Sequence, residues 1–397
     1  MRKFSTFVAA AAVAVTTVAL TAGPAFADPP GKTVPKDTSI VSVGADTTEF
    51  LFDQIDLAYN ATKPTDLEYS WDATNPTTGA EGDTIVTKNK CAGIARPNGS
   101  GQGLSALEAN ARPTGDTTNY CVDYARVARN RESTDPACGT GGVCFVSLAG
   151  DAVSWAGRST AAGGTDAPKS LTSAQLTSIY ECKDTNWKQV GGTSAPIEAF
   201  LPVTSSGVRT FFLTALGGGT TPITPGSCVN DENNTLEQNQ GVDPVLDSPE
   251  AIYIYSVGDY ISQVYHSATC TNNPNCGFPS APTCTPTKTQ NTFGCNQSGV
   301  LSLGEISDRS PLTTAKVPTI NPSFSPVFQR TLYDTVRYDP NTSDHIPGGE
   351  SGSPGALNLE TFLGASGYLC TNATAKKDII DYGFLNKWKL STCGAVS

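Results

Sequence analysis

Histidine is nearly absent from this chain, with only His266 and His345 among 397 residues, and charged residues of all kinds make up just 16%. Two imidazoles leave little room for histidine-based proton transfer or metal ligation. Bases are outnumbered, 26 Lys and Arg against 37 Asp and Glu, for a net charge of −11. Nucleic-acid affinity comes chiefly from neutralising phosphates, so an acidic chain with scattered bases is a poor fit to nucleic acid and equally to an anionic membrane surface. Beyond residue 27 no run of about 18 apolar residues could span a bilayer. No cysteine follows Ala27 directly, the first being Cys91, so no lipid anchor of the bacterial lipoprotein type and no membrane insertion are expected.

What is present begins with Arg2 and Lys3, an apolar run from Phe7 to Leu20 and the triplet Ala25-Phe26-Ala27. This pattern reads as a secretory signal peptide over residues 1–27 with Asp28 as the mature N-terminus. The segment carries two bases and no acid, so its loss takes the charge from −11 to −13. A secreted, extracellular protein is expected. Twelve cysteines in an exported chain argue for disulfides. Local pairing gives Cys91 with Cys121, Cys138 with Cys144, Cys182 with Cys228, Cys370 with Cys393, and two bridges among Cys270, Cys276, Cys284 and Cys295. The spacings in that last group are wider than a zinc knuckle, and no metal or other cofactor is expected.

Residues 28–37 read as a flexible leader. Ser39–Val43 then reads as a buried strand, Gly44-Ala-Asp46 as the turn out of it, and Asp46 with Glu49 has capping-box spacing ahead of a helix running through Asn60. Further strands are expected at 67–71, 121–125, 143–148, 197–201, 251–255 and 332–338. Helices are expected after Gly103, from Thr172 with a Thr172/Gln175 capping box, over 207–216, at 262–265, at 359–364 and over 379–388. The first crossing between domains is placed at 132–142. Strands alternating with helices in this way indicate an α/β protein.

Three turns share one character. Asp46-Thr47-Thr48, Gly99-Ser100-Gly101 and Ser205-Ser206-Gly207 each bring small hydroxylic residues to a helix start. In an open α/β sheet such starts gather at one edge, where free N–H groups and the helix dipole receive an anion. At this point the sequence resembles the type 2 periplasmic-binding-protein fold, and within it the phosphate-binding-protein-like group that serves bacterial ABC importers. Leu171-Thr-Ser-Ala-Gln-Leu-Thr-Ser-Ile-Tyr180 with Thr185-Asn-Trp187 is similar to that family's L-T-x-x-Q-L-x-x-I-F-x-G-x-x-T-N-W. Ser206-Gly-Val-Arg209 is close to its Ser-Gly-Thr-Arg, and Gly150-Asp-Ala-Val-Ser-Trp155 and Ala251–Ser256 follow in the same order.

The resemblance implies two lobes, each a mixed sheet flanked by helices, joined by a two-crossing hinge: 38–135 with 318–397 as lobe 1, and 136–317 as lobe 2. It also implies a monomeric, non-enzymatic solute-binding protein holding phosphate or another oxyanion between the lobes, with an ABC importer as a candidate partner. Carried over by motif, the contacts are Thr47, Thr48, Ser100, Gly101, Arg129, Asp151, Ser206, Gly207 and Arg209. Val208 departs from the family's threonine and removes a hydroxyl donor; Val127-Ala128 likewise replaces polar residues.

Other readings are open at this stage. An extracellular structural or interaction protein could use the same scaffold with a degenerate cleft. Gly349-Glu-Ser-Gly-Ser-Pro354 looks like a chymotrypsin-type nucleophile loop, but neither histidine has the setting that Ser351 would need. No spacing singles out a glycosidase carboxylate pair.

Overall fold

A computed structural model of the protein describes residues 28–29, 34–62, 64, 66–76, 78–79, 81–266, 296–347 and 357–397. Residues 1–27, read above as a signal peptide, the Cys270–Cys295 group and the Ser351 loop lie outside the described residues. The first strand, β1 (Ile40–Gly44), is apolar and wholly buried. A 3-10 turn at Asp46–Thr48 leads into α1 (Glu49–Ala61), whose Leu51, Phe52, Ile55 and Tyr59 face inward at helical spacing. The capping-box spacing of Asp46 and Glu49 does not close: Glu49 instead accepts a hydrogen bond from the amide of Ala73 at 2.7 Å. There follow β2 (Glu68–Ser70), the short hairpin of β3 (Thr84–Ile85) and β4 (Ile94–Ala95), α2 (Ser100–Glu108) and β5 (Tyr124–Val127).

The longest element is β6 (Val143–Arg158), sixteen residues buried almost throughout. The strand expected over 143–148 thus continues ten residues further, to Arg158. Next come β7 (Ser170–Leu171) and α3 (Ser173–Tyr180), which opens on the expected Thr172/Gln175 capping box. They are followed by β8 (Glu198–Ala199), α4 (Gly207–Leu216), β9 (Ala251–Ser256) and α5 (Val257–Ile261), the last running into a π-helical turn to His266. The chain returns through β10 (Leu301–Leu303), β11 (Glu305–Ile306) and β12 (Gln329–Arg337), and ends with α6 (Glu360–Leu363), α7 (Tyr368–Thr371) and α8 (Ala373–Asp381).

The helix expected at 379–388 therefore lies earlier. Asn372 caps it by accepting from the amides of Thr374 and Ala375, and Gly383, at φ +81°, follows its end. Beyond that point Leu385 bridges antiparallel to Gly150, so the apolar residues after Gly383 extend the sheet contact instead of the helix.

One mixed sheet runs in the order β2-β1-β5-β12-β6-β9-β8, with β10 also on β6. Strands β2, β1 and β5 are parallel, whereas β12 is antiparallel to both β5 and β6. Strand β6 pairs with β12 along Val143–Ala152 and with β9 along Val153–Ala156, so it serves two halves of the molecule. Its Cys144, Val146, Leu148 and Ala149 pack in one core with Phe52, Leu332 and Phe362; its Ala152, Val153 and Trp155 pack in another with Phe212, Ile254 and Phe328. The passage between cores thus falls near Asp151 on β6 and Arg330 on β12, which face each other in register. Val143 and Phe145 of the same strand pack in a further cluster with Val43, Leu104 and Val127, while Ile320, Phe324 and Phe328 pack with Phe212 and Ile254. Four disulfides, Cys91–Cys121, Cys138–Cys144, Cys182–Cys228 and Cys370–Cys393, match the local pairing.

Candidate functional site

The three hydroxylic helix starts lie at the carboxyl ends of strands. Ser206 caps α4, its Oγ accepting from the Arg209 amide at 3.1 Å. Gly207 is forced to be small: a Cβ there would sit 2.2 Å from Ser100 Oγ and 3.1 Å from the Ala128 carbonyl. Ser100 itself is wholly buried and accepts from the Ala128 amide at 2.9 Å. Gly99, at φ +91°, lies under the Ser205 carbonyl, where a Cβ would approach to 2.4 Å. The N-termini of α2 and α4, one from each half of the molecule, are therefore in direct contact.

Thr47 joins them through an intermediary, Gln238. Its Nε2 donates to Thr47 Oγ1 at 3.1 Å, while its Oε1 accepts from the Ser206 hydroxyl and, at 3.4 Å, from the Val208 amide. The structure thus brings together Thr47, Ser100, Ser206 and Gly207. Thr48 is buried beside Thr47, and Gly101 follows Ser100 in the first turn of α2 with open space above it.

The charged members of the expected set are engaged elsewhere. Arg129 forms a bidentate pair with Asp135 at 2.7 and 2.8 Å. Arg209 donates to the Pro202 carbonyl at 2.6 Å and to Asp231 at 2.9 Å. Asp151 is wholly buried; its Oδ2 accepts from Arg330 at 2.9 and 2.7 Å and from the Ser256 hydroxyl at 3.0 Å, and its Oδ1 accepts from the Gly258 amide at 3.0 Å. Arg330 also donates to the Ala128 carbonyl, which places a guanidinium directly beneath the contact between Ser100 and Gly207.

Several contributors carry no motif. Gln238 belongs to Leu236–Gln240, a buried polar run within what reads from sequence as a featureless loop. A small cavity of about 10 Å³, room for roughly one water, lies beside it, lined by Asp46, Glu49, Phe50, Gln238, Asn239, Gln240, Asp259 and Gln263. Burial pushes the carboxyls of Asp46 and Asp259 well above the usual range, reinforced by the neighbouring acids Glu49 and Asp151 respectively. Glu237 is raised too, first by burial and then by its contact with Glu81; it accepts from Asn98 Nδ2 at 2.9 and 3.1 Å. Burial and the neighbouring acids thus shift all three toward the protonated form. The one legible signal for this group was the density of amides and acids in Glu237-Gln-Asn-Gln240, since such side chains are buried only when hydrogen-bonded. Among the described residues no group of three or more His, Cys, Asp or Glu could hold a metal ion, and no helix is long and apolar enough to cross a membrane.

A family model described as a PBP superfamily domain matches residues 60–293, more than half of the chain. No curated protein matches. Among solved structures, the chain is similar to an ABC-type phosphate transport receptor from Vibrio cholerae at 15% identity and a TM-score of 0.48, covering 87% of this chain and 99% of that one. It is also similar to a putative phosphate ABC transporter substrate-binding protein with bound phosphate from Clostridium perfringens, at 13% identity and a TM-score of 0.47 over 87% and 98%. A phosphate-binding protein from Stenotrophomonas maltophilia gives 11% and 0.45 over 87% and 90%.

Proposed function

Because the chain belongs to the PBP superfamily, we propose that it is an exported solute-binding protein that closes its two halves around a small ligand, an oxyanion first among candidates, and catalyses nothing. One observation carries the reading: an oxygen is already held where a ligand's oxygen would go. Gln238 Oε1 takes hydrogen bonds from the Ser206 hydroxyl and the α4 N-terminal amide of Val208, while its Nε2 donates to Thr47 on the other half. A helix start with free N–H groups and hydroxyl donors is suited to an anion without an excess of bases. Asp46 and Asp259, whose carboxyls burial raises, line the space beside Gln238, and Arg330 donates to the Ala128 carbonyl nearby.

Export follows from the leader pattern at residues 1–27 and agrees with four disulfides, which persist in oxidising compartments. An ABC importer is the partner class that such a function calls for. Calorimetry of the chain beginning at Asp28 against phosphate and sulfate tests the proposal. Ser206→Ala removes a donor to a charged oxygen, worth about 1.5–3 kcal/mol, or roughly ten- to a hundredfold in affinity. No heat with any oxyanion refutes the anion receptor. The second reading, a scaffold whose cleft no longer binds, draws on the room for only one water beside Gln238 and gains if that happens.

A further inference from the structure

Gln238 is 2% exposed and reaches across the molecule. The segment that carries it is fixed to the second core: the Val203 amide donates to the Leu236 carbonyl at 2.9 Å, Tyr253 Oη donates to the Glu237 carbonyl at 2.6 Å, and Tyr255 Oη donates to the Asn239 carbonyl. From that base Glu237 accepts from Asn98 and Gln238 donates to Thr47, both on the opposite half. The same Gln238 amide turns back to Ser206 and Val208. The space left beside it takes one water, so a solute and this side chain do not fit together.

We propose that Gln238 is a built-in occupant of the cleft: the ligand-free protein rests closed on its own amide, and a solute binds by displacing it from Ser206 and Val208. The competition with a solute rests on the function proposed above; the latch does not. It also narrows the solute class. A neutral hydroxyl offers nothing that the amide oxygen lacks, whereas a carboxylate or phosphate oxygen makes the stronger, charge-assisted bonds needed to take its place. Apparent affinity is then the intrinsic affinity scaled by the fraction of molecules with Gln238 withdrawn.

Two measurements on the wild type and Gln238→Ala test this: calorimetry with inorganic phosphate and with acetate, and hydrogen exchange of the Val208 amide without ligand. Where about a tenth or less of the wild type is competent, Gln238→Ala binds about tenfold tighter or better, and Val208 exchanges faster by a similar factor. Unchanged affinity together with unchanged exchange overturns the proposal. If neither protein binds either probe, the receptor reading fails, while the exchange rate still decides the latch: faster supports it and unchanged overturns it. Should Gln238→Ala not fold, Asn98→Ala frees the Glu237 end of the segment without touching Ser206, and exchange at Val208 must again accelerate for the latch to stand.

Discussion

Replacing Asp151 by alanine tests what joins the two halves. Both Asp151 and Arg330 have fully buried side chains. Two guanidinium N–H groups meet Asp151 Oδ2 at 2.9 and 2.7 Å, and the Ser256 hydroxyl and Gly258 amide occupy the rest of the carboxylate. Truncation leaves Arg330 charged, with the Ala128 carbonyl as acceptor and the Phe211 ring 5.6 Å away. Orphaning one member of a buried pair costs about 3–5 kcal/mol, and the Gly258 amide loses its acceptor at about 1 kcal/mol. We take about 4 kcal/mol, a large share of the roughly 5–15 kcal/mol available to a typical fold. In urea, with a slope of about 2 kcal/mol/M, the midpoint falls by about 2 M. Equilibrium unfolding read by tryptophan fluorescence and circular dichroism measures it. The partner control is the double variant Asp151→Leu with Arg330→Met, which removes both charges and recovers most of the loss. A loss below about 1 kcal/mol in Asp151→Ala, or a double variant no more stable than the single, refutes the argument.

Stability also depends on pH in a direction set by raised acids. Burial lifts Asp56 to about 8 and Asp378 to about 6, and Asp53 and Asp72 well above their ordinary value. A group whose folded pKa is raised contributes fully below its unfolded value near 4 and loses that contribution as pH rises through the folded value, so the melting temperature falls from pH 5 to pH 8; a rise across that window contradicts the assignment. Arg96 is 2% exposed and held by Asp28 at 2.6 and 2.9 Å and by Asp83 at 2.5 Å. Asp28→Ala therefore costs about 1–3 kcal/mol, measured by urea unfolding, and an unchanged midpoint removes Asp28 from that network. Gly99→Ala meets both a positive φ of +91° and the Ser205 carbonyl 2.4 Å from the added carbon. A loss of about 2 kcal/mol or more follows, and wild-type stability shows that α2 and α4 do not need this contact.

Local chemistry made much of the molecule readable. The apolar run of β1, the Thr172/Gln175 box and the Ser206 cap are decided within a few residues, so the sequence carries them openly. The disulfides Cys91–Cys121, Cys138–Cys144, Cys182–Cys228 and Cys370–Cys393 are readable as pairs of neighbouring cysteines, although their partners lie 6 to 46 residues apart. What failed was decided at long range. The strand expected over 143–148 runs on through a buried aspartate, Asp151, whose partner Arg330 lies 179 residues away. The pattern beyond Asp381 reads as helix because apolar spacing does not reveal that Leu385 bridges to Gly150 and that Trp388 packs over the same glycine. The amide-rich run around Gln238 signals burial but not its partner, Thr47, which it meets across 191 residues.

The cradle combines these two kinds of information, and its electrostatics follow. Motif matching supplies Ser206 and Gly207 together with the charges of Arg129 and Arg209. The neighbours cancel that charge: Asp231 takes Arg209, Asp135 takes Arg129, and Asp151 takes Arg330. What remains around Gln238 Oε1 is a set of neutral donors, a hydroxyl and a backbone amide, beside acids whose burial favours the protonated form. A neutral amide fits that balance without further change, which is why the protein's own glutamine can sit there. Arg129, Arg209 and Arg330 are each paired with a carboxylate, so under the proposed function the discrimination of an anion rests on donor geometry at α4 rather than on net charge.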